Sequence, residues 1–76
     1  MPEIRWQCRR GMRELDELLL RYLDNDYQRA GDPEKDAFRS LLALSDPELI
    51  GYLLQQQEPP ADFHLVIRKI RRQAAT

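Results

Sequence analysis

The sequence predicts an all-α fold, a small compact bundle of five helices. Apolar residues recur at helical i, i+3, i+4 and i+7 steps between the turns, and no stretch alternates with period two for long enough to make a strand. An Asp-Pro-Glu step also stands twice at the head of an apolar run. At 76 residues the chain has room for one domain, residues 1–76, with an ordered core over about 4–72. Helices are expected near residues 4–9, 12–27, 33–44, 47–56 and 61–72, joined by short connections.

The first helix carries Ile4 and Cys8 on its apolar line and Trp6 off it. Trp6 is expected at the edge of the core, with contact to a partner as the other reading. Cys8 lies among Arg5, Arg9 and Arg10, which would lower the pKa of an exposed thiol, but its register makes it core filler. The apolar line continues through Met12, Leu15, Leu18, Leu19, Tyr22 and Leu23 and is interrupted by Gly11. A glycine inside a helix costs about 1 kcal/mol relative to alanine. Arg10, Glu14, Glu17 and Arg21 share one polar stripe beside it. Gly11 is therefore either a hinge or C-cap between two helices, which spacing alone favours, or a flat backbone spot edged by charged groups on which another chain docks. The two roles are compatible. Arg10 and Glu14 also have the spacing of an ordinary i,i+4 pair.

Asn25 to Gly31 loses periodicity and turns the chain. Asp32-Pro33-Glu34 and Asp46-Pro47-Glu48 then start the third and fourth helices, with Asp as the expected cap, Pro pre-set for the first turn and Glu complementing the positive helix end. Their buried stripes are Ala37, Phe38, Leu41 and Leu42, then Leu49, Ile50, Leu53 and Leu54. Pro59-Pro60 stops the fourth helix. Phe63, Val66, Ile67 and Ile70 line the fifth, and Gln73 to Thr76 should fray.

Composition narrows the function. A single cysteine excludes an internal disulfide framework and fits a reducing compartment. No apolar run approaches a membrane span, and Met1-Pro2-Glu3 lacks the apolar core of a secretory signal, so a cytoplasmic protein without membrane insertion is expected. One Cys and one His, His64, cannot fill a zinc site, and no nucleophile, base and orienting group share a motif. No catalytic residue is assigned, and His64 reads as a rim residue. Net charge is −1, yet both chain ends are basic, with Arg5, Arg9, Arg10 and Arg13 at one and Arg68, Lys69, Arg71 and Arg72 at the other. Basic ends leave a nucleic-acid-binding module open as an alternative, against which the overall acidity argues.

Arg10-Gly11-Met12-Arg13-Glu14, followed by Asp16, resembles the RGxxE signature of the SdhE family of FAD assembly factors, related to the mitochondrial succinate dehydrogenase assembly factor. Asp46-Pro47-Glu48-Leu49 with Tyr52, then Pro60-Ala61-Asp62 and a closing basic helix, extend the likeness over about Ile4 to Arg72. The resemblance implies a five-helix fold and no enzymatic activity of its own. It also implies an assembly chaperone for the flavoprotein subunit of succinate dehydrogenase, and in bacteria of fumarate reductase, that promotes attachment of FAD through a ring methyl group to a histidine of that subunit. FAD would then belong to the partner, with no cofactor held firmly by this chain, which is expected to be a monomer. Arg10, Gly11, Met12, Arg13, Glu14 and Asp16, with Trp6 beside them, are the expected partner-binding residues. An antitoxin-like role toward a membrane-associated toxin is a second reading from the same resemblance.

Overall fold

Leu15, Leu18, Leu19, Tyr22 and Leu23 are all buried and form the spine of the core. They lie along the longest helix of a computed structural model that describes residues 2–74. Among the described residues there are five α-helices and no strand: α1 (Pro2–Gln7), α2 (Arg13–Asn25), α3 (Asp32–Leu42), α4 (Asp46–Leu53) and α5 (His64–Ala74). Two single 3-10 turns, Tyr27–Arg29 and Ala61–Phe63, precede α3 and α5. The spine of α2 packs chiefly on α5, whose Val66, Ile67 and Ile70 are buried. Phe38, Leu41 and Leu42 of α3 and Leu49 and Leu53 of α4 close the core around this pair. Cys8 is fully buried in the same cluster. Burial pushes its thiol up to about 11, outweighing the neighbouring Arg5 and Arg10, which makes it inert.

The structure corrects several local expectations. The second helix ends at Asn25 and not near 27, because the chain tightens into the 3-10 turn that sets Tyr27 against Phe38, ring centroids 5.6 Å apart. Phe38 also stacks on Tyr22 at 4.6 Å. Neither Asp32 nor Asp46 is a helix cap. Gly31 precedes α3 without a side-chain cap, and Ser45 caps α4 in a reciprocal box with Glu48: Ser45 Oγ accepts from the Glu48 N–H, and Glu48 Oε1 accepts from the Ser45 N–H at 3.1 Å. Both aspartates thus stand at the first helical position, and the Asp46 carboxylate is available for another partner. The last helix runs to Ala74, past the expected end near 72, while Ala75 and Thr76, expected to fray, lie outside the described residues.

The repeated Glu has a different use in each helix. Where Glu48 closes a capping box, Glu34 turns inward and ties three helices together. Its Oε2 accepts from the Tyr22 hydroxyl at 2.5 Å and its Oε1 from Lys69 Nζ at 3.0 Å. Burial tends to raise the Glu34 carboxyl, but the hydrogen bonds from Tyr22 and Lys69 and the Lys69 charge prevail and hold it below the ordinary range. A carboxyl lowered in the folded state contributes stability above its unfolded pKa and loses it as pH falls through the folded one. Stability should therefore fall on acidification below about pH 4.5, the ordinary value of the group. Glu34→Gln should flatten that dependence and cost ~1–3 kcal/mol at neutral pH. Denaturant titrations of both proteins from neutral pH to about pH 3 check this, and identical pH profiles would contradict it.

Candidate functional site

Residues 8–12 join α1 to α2, and the chain there is built around one arginine. Tight turns end α1, with the Cys8 N–H donating to Arg5 O at 3.2 Å and the Arg9 N–H to Trp6 O at 3.1 Å. Arg10 then turns its side chain inward, leaving it only 15% exposed. Its Nη1 donates to Gln7 O at 2.9 Å and Leu42 O at 3.0 Å, and its Nη2 to Leu44 O at 2.6 Å. Its Nε donates to Asp46 Oδ1 at 2.9 Å. Gln7 and Leu42 are the last residues of α1 and α3, so the guanidinium sits where two helix C-termini converge, the end that favours a cation. Asp46 supplies the matching carboxylate from the first residue of α4. The main chain of Arg10 is held as well, since its N–H donates to Asp16 Oδ1 at 2.7 Å.

With Arg10 fixed at both main chain and side chain, Gly11 and Met12 alone carry the chain into α2. Gly11 stands at φ +84°, in the left-handed region that other residues enter at a cost of ~1–2 kcal/mol. Gly11 is thus the hinge between two helices and not a glycine inside one. A Cβ built on it meets nothing within 4 Å, so its outer face is open. Met12 follows in an extended conformation and packs, half-buried, against the core.

The predicted site residues therefore divide. Arg10, Met12 and Asp16 face inward or serve the loop itself, whereas Trp6, Gly11, Arg13 and Glu14 are exposed. Trp6 is 76% exposed, which corrects its expected place at the core edge. The expected Arg10–Glu14 pair does not form, because Arg10 has Asp46 as its carboxylate and the helix that would align the two begins only at Arg13. Glu14 and Glu17 instead line a shallow groove with Leu18, Arg21 and Leu54, and Arg13 Nε lies 3.4 Å from Glu17 Oε2. Sequence reasoning missed the contact made by Asp46, which lies 36 positions from Arg10. Its only signal was a second candidate cap, Ser45, immediately before it with Glu48 three residues on.

His64 is a rim residue, its Nε2 3.0 Å from Pro59 O and 2.8 Å from Glu58 Oε2. Among the described residues no three of His, Cys, Asp and Glu gather as metal ligands, and no helix is long and apolar enough to cross a membrane. What this region presents to solvent is the open Gly11 turn, with the exposed indole of Trp6 on α1 before it and the exposed carboxylate of Glu14 on α2 after it.

The fold defines a small all-α helical protein. Residues 3–74 match the family model described as flavinator of succinate dehydrogenase, and the chain belongs to that family. It is 43% identical over 58 residues to the FAD assembly factor SdhE of Serratia sp., covering 76% of this chain and 66% of that protein. The FAD assembly factor SdhE of Coxiella burnetii is 42% identical over 71 residues, covering 92% of this chain and 87% of the relative. That of Shewanella oneidensis is 38% identical over 76 residues, covering 99% and 93%. Matches to the Serratia and Pectobacterium atrosepticum relatives span slightly under two thirds of those proteins, at 66% and 64%.

Gly11→Ala should destabilise the fold by ~1 kcal/mol, since the penalty comes from the left-handed backbone alone and no contact is crowded. Glu14→Ala and Trp6→Ala should change stability by less than about 0.5 kcal/mol, as exposed side chains. Urea denaturation of the three variants checks both statements, and a Gly11→Ala variant more stable than the parent would return Gly11 to a helix interior.

Proposed function

We propose that this chain is an assembly factor and not an enzyme, one that docks on the flavoprotein subunit of succinate dehydrogenase and promotes covalent attachment of FAD to it. The observation that carries this reading is the open Gly11 turn, joining the helices that bear the exposed Trp6 and Glu14, in a chain that belongs to the flavinator family. Fumarate reductase, through its homologous flavoprotein subunit, is a further candidate partner. On this reading FAD and the histidine that receives it belong to the partner. This chain has only to bind one conformer of the immature flavoprotein better than the others, so that the partner's own groups meet the flavin correctly. Gly11 lets the partner's backbone approach closely, Glu14 offers a charged acceptor, and Trp6 supplies apolar area at the edge. The protein acts as a cytoplasmic monomer in this scheme. The nucleic-acid alternative gains little from the two basic ends. Arg5 pairs with Asp24 at 2.7 Å, Lys69 with Glu34, and Arg71 donates to Tyr52 O and to Gln57 O at 2.9 Å, so these three basic residues are committed within the fold.

Substitutions at Gly11 and Glu14 test the docking reading. Gly11→Arg and Glu14→Ala should remain folded yet reduce covalent flavin on the partner subunit by about tenfold or more, as loss of a central contact does. Gly11→Ala, which adds one methyl group, should be milder. In-gel flavin fluorescence of the partner, normalised to folded assembly factor, is the measurement. Wild-type flavinylation with folded Gly11→Arg would move the docking surface elsewhere on the bundle.

A further inference from the structure

Asp46 lies on α4, outside the loop that carries the exposed groups, and its expected duty as a helix cap is performed by Ser45 with Glu48. Its carboxylate instead meets Arg10 Nε at 2.9 Å. Among the bonds that Arg10 makes, this is the one to an opposite charge, since its other acceptors are main-chain carbonyls. A largely buried guanidinium without a counter-charge is drawn back toward water. Arg10 is also the residue immediately before the left-handed Gly11, so any outward movement of its side chain pulls on that turn. Asp16 holds the amide of Arg10 and Asp46 holds its head group.

We propose that Asp46 is a positioning residue for the docking loop: it fixes the Arg10 guanidinium and, through it, the Gly11 turn, without itself meeting the flavoprotein. This rests on the docking reading above and extends it to a residue on a different helix. Removing the carboxylate leaves the capping box of α4 intact but allows the loop to sample conformations in which Gly11 no longer presents its open face. Asparagine keeps a neutral oxygen that can still accept from Arg10 Nε, so it should rescue in part. Arg10→Lys keeps a charge for Asp46 but lacks the planar fork that reaches three carbonyls at once, and should loosen the loop as Asp46→Ala does.

Two readouts on the full chain decide the matter: amide hydrogen exchange at Cys8, Arg9 and Arg10, whose N–H groups donate to Arg5 O, Trp6 O and Asp16 Oδ1, and covalent flavin on the succinate dehydrogenase flavoprotein subunit per folded assembly factor. Asp46→Ala should speed exchange in the loop by about tenfold or more and lower flavinylation in parallel. Asp46→Asn should fall between it and the parent in both. Ser45→Ala, which removes the cap of the same helix, should lower the melting temperature while leaving loop exchange and flavinylation per folded molecule unchanged. The proposal is overturned if Asp46→Ala leaves loop exchange unmoved, or if it speeds exchange without affecting flavinylation. It is also overturned if Asp46→Asn abolishes flavinylation with the loop fully protected, which would make Asp46 a direct contact. Failure of the docking reading itself is distinguishable, because folded Gly11→Arg would then flavinylate normally.

Discussion

One largely buried guanidinium ties together the ends of three helices in this molecule. Arg10 binds carbonyls at the ends of α1 and α3 and a carboxylate at the start of α4, so three helix termini are fixed relative to one another by a single planar group. Helix ends are where unsatisfied main-chain groups accumulate, and in a chain of 76 residues they cannot all be turned to water without opening the core. The rigid fork of an arginine suits this position, since its donors reach several acceptors at once with little freedom left to lose. The left-handed Gly11 belongs to the same arrangement, because only Gly11 and Met12 separate the fixed Arg10 from the first residue of α2.

A second arginine solves a similar problem at the far end of α4. Arg71 Nε donates to Tyr52 O at 2.8 Å and its Nη2 to Gln57 O, tying α5 to the turn where Gln56 adopts φ +58°. The Tyr22, Glu34 and Lys69 network joins α2, α3 and α5 in the same manner. Polar side chains thus hold the helix ends and crossings while the leucine-rich stripe fills the middle. The hydrophobic stripe makes the helices associate, and these directional contacts decide how they meet.

Inward-facing and exposed residues are neighbours within the signature. Arg10 and Asp16 hold the loop together, and Gly11 within it, Trp6 on α1 and Glu14 on α2 face solvent. Such a division lets the exposed groups be few, because their geometry is supplied from beneath.

Helix number, the apolar stripes and the burial of Cys8, Leu19 and Leu41 were legible in the sequence, since each depends on local periodicity that 3.6 residues per turn imposes. The resemblance carried by Arg10, Gly11 and Glu14 also pointed to the family on the strength of residue order alone. Three matters were decided only by tertiary structure. Arg10 turned inward because the carbonyls of Gln7, Leu42 and Leu44 and the Asp46 carboxylate meet only once α1, α3 and α4 have packed. Trp6 stayed outside because Ile4 and Cys8 took the core-facing line of the first segment. Asp46 gave its carboxylate to Arg10 because Ser45 had already filled the cap. Periodicity tells which face of a helix is buried. Which polar group satisfies which helix end depends on residues far apart in sequence being brought within about 3 Å, and no local pattern encodes that distance.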